Sequence, residues 1–78
     1  MHPSPIPYDS ESHDGYTIEV LAEPASNAPS AWRVTAQVDF ADTGARLTHT
    51  EPDVPVESEG LAIAYGMGVG RRMARGLV

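Results

Sequence analysis

The chain has 78 residues, a net charge of −6 and no cysteine. That length holds one domain, whose folding buries only about 60% of its unfolded surface; without cysteine there is no disulfide, thiolate nucleophile or Cys-rich zinc site. The acidic balance disfavours binding that works by neutralising phosphates, on nucleic acid or on anionic membrane.

Residues 1–14 read as a disordered tail. Pro3, Pro5 and Pro7 cannot donate to a ladder, and the run from Asp9 to Asp14 is polar and without period. The N-terminus has neither the basic n-region nor the apolar h-region of a signal peptide, and no apolar run approaches the ~20 residues of a membrane span. The expectation is a cytoplasmic protein with no membrane contact. Residues 15–78 form the expected single domain.

After Gly15, the residues Tyr16, Ile18, Val20 and Ala22 alternate with Thr17, Glu19 and Leu21, the period of two that marks a strand with one buried face. Residues 23–30 read as a loop, broken by Pro24 and Pro29. The strongest alternation follows over residues 31–40, where Trp32, Val34, Ala36, Val38 and Phe40 interleave with Arg33, Thr35, Gln37 and Asp39. The two strands are expected to pair antiparallel, with Glu19 and Arg33 on the wet face. Asp42, Thr43 and Gly44 then make a turn, and residues 45–50 give a weaker third strand that reads as an edge. Pro52 and Pro55 end it.

Ser58 can cap a final helix running to about Gly76, roughly 27 Å long at 1.5 Å per residue. Glu57 and Glu59 stand at its positive end, and Arg71, Arg72 and Arg75 at its negative end. All eleven acids lie in residues 1–59, so this basic end stands alone. Three interior glycines, Gly66, Gly68 and Gly70, cost about 3 kcal/mol against alanine, which tertiary packing must offset. Ala62, Gly66, Gly70 and Ala74 recur at every fourth position as a close-packing stripe. Trp32 is expected to fill the groove they leave; the alternative is a helix from another copy. Ile63, Gly66, Met67, Gly70, Met73, Ala74 and Leu77 form the inner side.

On the other side, Leu61, Tyr65 and Arg72 fall within about 40° of one another at 100° per residue, with Arg71 and Arg75 nearby. An aliphatic, an aromatic and an arginine on one stripe suit an interface. The plainer reading tucks Leu61 and Tyr65 at the margin of the core. Gly66-Met67-Gly68-Val69-Gly70-Arg71-Arg72 invites comparison with a phosphate-cradling loop, but the Lys-Ser/Thr ending of a P-loop is missing.

No catalytic, metal or cofactor constellation is legible. His2, His13 and His49 are scattered, and acid–base work by Asp39 and Asp42 would need a cleft to shift their pKa values.

From Tyr16 to Leu77 the order strand–strand–(strand)–helix resembles small uncharacterised bacterial β-β-β-α proteins. It is also similar, distantly, to the antitoxin domains that neutralise messenger-RNA interferases, which pair a Tyr-led strand with one like residues 32–40 before a helix. Their Pro-Gly-Cys type segment is absent, and glycines stand in the helix where they carry acidic and alanine residues; no functional residue transfers.

The expected fold is therefore α+β: a two- or three-stranded antiparallel sheet with one C-terminal helix across one face. The expected function is a non-enzymatic protein-interaction module that self-associates, through a sheet edge or through helix stripes. Oligomerisation is a common reinforcement for so small a core. The alternatives are a nucleic-acid or anion binder using Arg71, Arg72 and Arg75, and a small enzyme resting on Asp39, Asp42 or His49.

Overall fold

The computed structural model describes residues 8–25 and 31–76. Four strands and one helix follow in order: β1 Tyr8–His13, β2 Tyr16–Pro24, β3 Trp32–Phe40, β4 Arg46–Val54 and α1 Glu59–Ala74. The fold is α+β, as the patterning implies, but the sheet has four strands rather than two or three. It is an antiparallel meander in the order β1-β2-β3-β4.

The additional strand is β1, so the tail reading fails for Tyr8–His13. Asp14 and Gly15 reverse the chain, with Gly15 at φ +94°, and β1 pairs along β2 from His13 opposite Tyr16 to Tyr8 opposite Leu21. The proline-rich residues 1–7 lie outside the described residues, as do the loop residues 26–30 and Leu77.

The β2–β3 pair is the one the alternation implies, with Tyr16 opposite Phe40 and Pro24 opposite Trp32. Strand β2 thus runs two residues into the expected loop. Strand β4 also outruns its expected end: it continues through Pro52 to Val54, with a register shift opposite Trp32 and Val34. One extra residue on β4 makes this a β-bulge, and an edge strand with a bulge is where a proline is tolerated in a sheet. At the other end Gly44 turns at φ +69°, and the Ala41 amide donates to the Gly15 carbonyl at 2.9 Å, joining the two turns on that side.

Helix α1 lies on β2 and β3. The fully buried Ile18, Val20 and Val38 join Ala22, Val34 and Ala36 from the sheet to Ala62, Met67, Val69 and Met73 from the helix. Ser58 caps it: its hydroxyl oxygen accepts from the Leu61 amide at 3.2 Å. Past the last turn Gly76 takes φ +74°, donating to the Met73 carbonyl at 3.0 Å.

The small residues Ala62, Gly66 and Gly70 are buried against the sheet. A Cβ at Gly66 would strike Val20 and lie 2.8 Å from Val34 Cγ1, and one at Gly70 would strike Ile18. The groove is filled by these β-branched side chains. Trp32 does not enter it: it stands at the end of β3 opposite Val54, half-buried at the margin of the core. Nor is that row free for another helix.

Candidate functional site

The outer side of α1 gathers most of the residues that the helical spacing singles out. Leu61 is 52% exposed and Tyr65 39%, so neither is tucked at the core margin. Ala64, Arg71, Arg72 and Arg75 are exposed beside them. From residue 61 to residue 70 the helix carries no charged side chain. At 100° per residue, Gly68 falls at the middle of this outer arc, flanked by Leu61, Ala64, Tyr65 and Arg72. In the sequence Gly68 stands only as a helix cost and as part of the glycine-rich Gly66–Arg72 stretch. The signal that separates it was its spacing, two residues off the Gly66–Gly70 row.

The three arginines differ in their surroundings. Arg71 reaches over the sheet to β1, donating from Nη2 to Glu11 Oε2 at 2.6 Å and from Nε to Oε1 at 3.1 Å. The position follows from packing: the Gly70 notch seats on Ile18, and Ile18 pairs with Glu11. Hydrogen bonds from Arg71 and then from His13 hold the Glu11 pKa down at about 2, against 4.5 for an ordinary glutamate. His13 also stacks on Tyr16, with ring centroids 4.7 Å apart. Arg75 Nε leans on its own helix, 3.4 Å from the Arg71 carbonyl oxygen. Arg72 has no side-chain hydrogen bond among the described residues.

The uncovered face of the sheet is polar and largely self-satisfied. Tyr8 Oη donates to Glu19 at 2.8 Å, Gln37 bridges Glu19 and Asp39 at 3.5 and 3.4 Å, and Arg46 Nε donates to Asp39 at 2.7 Å. This chain of bonds crosses all four strands. The Arg46 guanidinium holds the Asp39 carboxyl below its usual range. Arg33 pairs with Glu23 at 3.0 Å rather than with Glu19.

The residues named for an enzyme are not brought together. Asp39 lies on the open face, Asp42 in the exposed β3–β4 turn, and His49 on the helix-side face of β4, 2.7 Å from Glu51. A shallow groove of about 240 Å³ runs beside His49, lined by Leu47, Thr48, Met73 and Gly76. It is smaller than the ~300–1,000 Å³ of ordinary ligand pockets. Among the described residues, no group of three His, Cys, Asp or Glu could hold a metal ion, and no helix is long and apolar enough to cross a membrane. Comparison with protein-family models, curated proteins and solved structures finds no match.

Proposed function

We propose that this chain is a non-enzymatic protein-interaction module and that its contact surface is the outer face of α1. The observation that carries the reading is a helix whose stretch from residue 61 to residue 70 is without charge on every side but covered on one. Inward it buries Ala62, Gly66, Met67, Val69, Gly70 and Met73; outward it still presents Leu61, Ala64, Tyr65 and Gly68. A helix exposed on one side ordinarily carries charged and polar residues there, and one that is apolar all round is ordinarily buried all round. The open sheet face makes a poorer contact surface, because its side chains already satisfy one another and would have to be desolvated as pairs.

Anion binding is the competing reading, and it has lost one arginine of its three to Glu11. The likeness to antitoxin domains supplies no residue to either reading.

A photo-crosslinking amino acid placed at Ala64, and separately at Thr35 on the open sheet face, tests the proposal in the cells that make the protein. Protein adducts from position 64 and none from position 35 are expected. Adducts from position 35 alone, or none from either, would overturn it.

A further inference from the structure

We propose that the outer face of α1 is closed by a second copy of this chain, the two helices packing antiparallel about a twofold axis level with Gly66 and Met67. The proposal rests on the reading of that face as a contact surface and names its occupant.

Gly68 is the first observation. Gly66 and Gly70 have their reason inside the chain, in Val20, Val34 and Ile18. Gly68 does not: among the described residues, a Cβ there would meet nothing within 4 Å. A mid-helix glycine costs up to about 1 kcal/mol against alanine. At the centre of an exposed face, the absent side chain matters only to something approaching from outside, for which glycine permits close backbone contact.

Charge is the second observation, and it selects the occupant. The helix is acidic at its start, with Glu57 and Glu59, and basic at its end, with Arg71, Arg72 and Arg75. Two copies side by side in the same direction would set like charges together. Two copies in opposite directions set each acidic end, and each positive dipole end, against the other's opposite.

The antiparallel register then places unlike shapes together as well. Each residue before the axis faces the partner residue an equal distance past it. With the axis level with Gly66 and Met67, Tyr65 faces Gly68, Leu61 faces Arg72 and Ser58 faces Arg75, each contact occurring twice. The one aromatic of the face meets the one notch. Leu61 lies along the aliphatic stem of Arg72, whose guanidinium is left to the rim. Glu57, just before the Ser58 cap, is the acid that comes nearest the partner's Arg75.

The interface is small. Sixteen residues of helix run about 24 Å at a width of about 10 Å, a footprint well under the ~800 Å² per partner of a standard stable complex. The dimer is therefore weak, dependent on concentration and, because its ends are ionic, weaker in high salt.

Sedimentation equilibrium from about 10 µM to about 1 mM reads the result directly. The wild-type mass should climb from 8.3 kDa toward twice that value. Gly68→Leu should hold the chain at the monomer mass throughout, with a thermal midpoint no lower than wild type, since a Cβ at that position meets nothing within 4 Å among the described residues. Arg72→Glu/Arg75→Glu and Glu57→Arg/Glu59→Arg should each weaken self-association at least tenfold, and an equimolar mixture of the two should recover a heterodimer. A wild type that stays monomeric at the highest concentration would overturn the proposal, as would a dimer that Gly68→Leu leaves intact. The crosslinker at Ala64 separates the two levels of inference. Adducts to other proteins and none at the dimer mass would sink the second copy and keep the contact surface; no adducts at all would sink both.

Discussion

Three glycines two residues apart look alike in the sequence and do different work. Gly66 faces Val20 and Val34, Gly70 faces Ile18, and a Cβ at Gly68 would meet nothing within 4 Å among the described residues. Gly66→Ala therefore gains helix propensity of up to about 1 kcal/mol and drives a methyl into two stiff, buried β-branched side chains, which costs about 1–3 kcal/mol. Val20 is wholly buried and Val34 nearly so. With the full propensity gain the sum is a loss of up to about 2 kcal/mol, read as a lower urea midpoint; a raised midpoint would show that Val20 and Val34 can yield. Gly68→Ala, at dilution, should add up to about 1 kcal/mol of stability, read as a higher urea midpoint. The close-packing row was legible from its four-residue spacing. What fills it was not, because spacing along a helix says nothing of which sheet residue lies beneath it. A tryptophan was the obvious filler by size, yet Trp32 stands at the strand end, and the helix rests on the shorter side chains at the strand centres.

Among the elements, β1 was the least legible. Its six residues are Tyr-Asp-Ser-Glu-Ser-His, with no apolar alternation to betray a strand. The polarity has a structural reason: β1 is an edge strand that the helix touches far less than β2 and β3, and Glu11 on its inward side meets the helix through an ion pair rather than through apolar contact. The Asp14-Gly15 step was the one available signal, since Asp-Gly is favoured in hairpin turns. The later proline at Pro52 misled for a related reason, because only an edge strand with a bulge can carry it. The β1–α1 tie is pH-sensitive. Glu11 is held at about 2 in the folded chain against 4.5 ordinarily. Its folded-state pKa is the lower one, so its stabilisation is complete above about pH 4.5 and fades as pH falls toward 2. His13 on β1, Tyr16 on β2 and Arg71 on α1 are the titratable or charged groups around it. Glu11→Gln should be less stable than wild type at neutral pH, and that difference should vanish across this acid window. Asp39 also loses its pairing with Arg46 in acid, but it does so in both proteins. A difference that persisted unchanged at pH 2 would place the Glu11 contribution in packing rather than in charge.

At the scale of the molecule, one helix cannot cover four strands. The thinnest dimension of the chain is 16 Å, the depth of one sheet and one helix. Helix α1 rests on β2 and β3 and leaves both flanking strands to the ladder. On the β4 side this leaves Leu47 44% exposed. On the β1 side the neighbours of Ile18 and Val20 are Glu11 and Asp9, so β1 shields two of the three largest fully buried side chains from water. Removing residues 1–14 therefore takes away an edge that the core uses, contrary to what a disordered tail would imply. A chain of this length is stable by only about 4–12 kcal/mol at the usual 0.05–0.15 kcal/mol per residue. Loss of one ladder and the cover over Ile18 should remove about 2–4 kcal/mol of that. Urea unfolding of the truncated chain should show a lower midpoint and a shallower slope, because less surface remains to be exposed. The midpoint and slope distinguish two kinds of edge. If both fall, β1 belongs to the cooperative unit. If both stay at the full-length values, β1 docks on a three-stranded sheet that is stable without it, and the core needs no cover on that side.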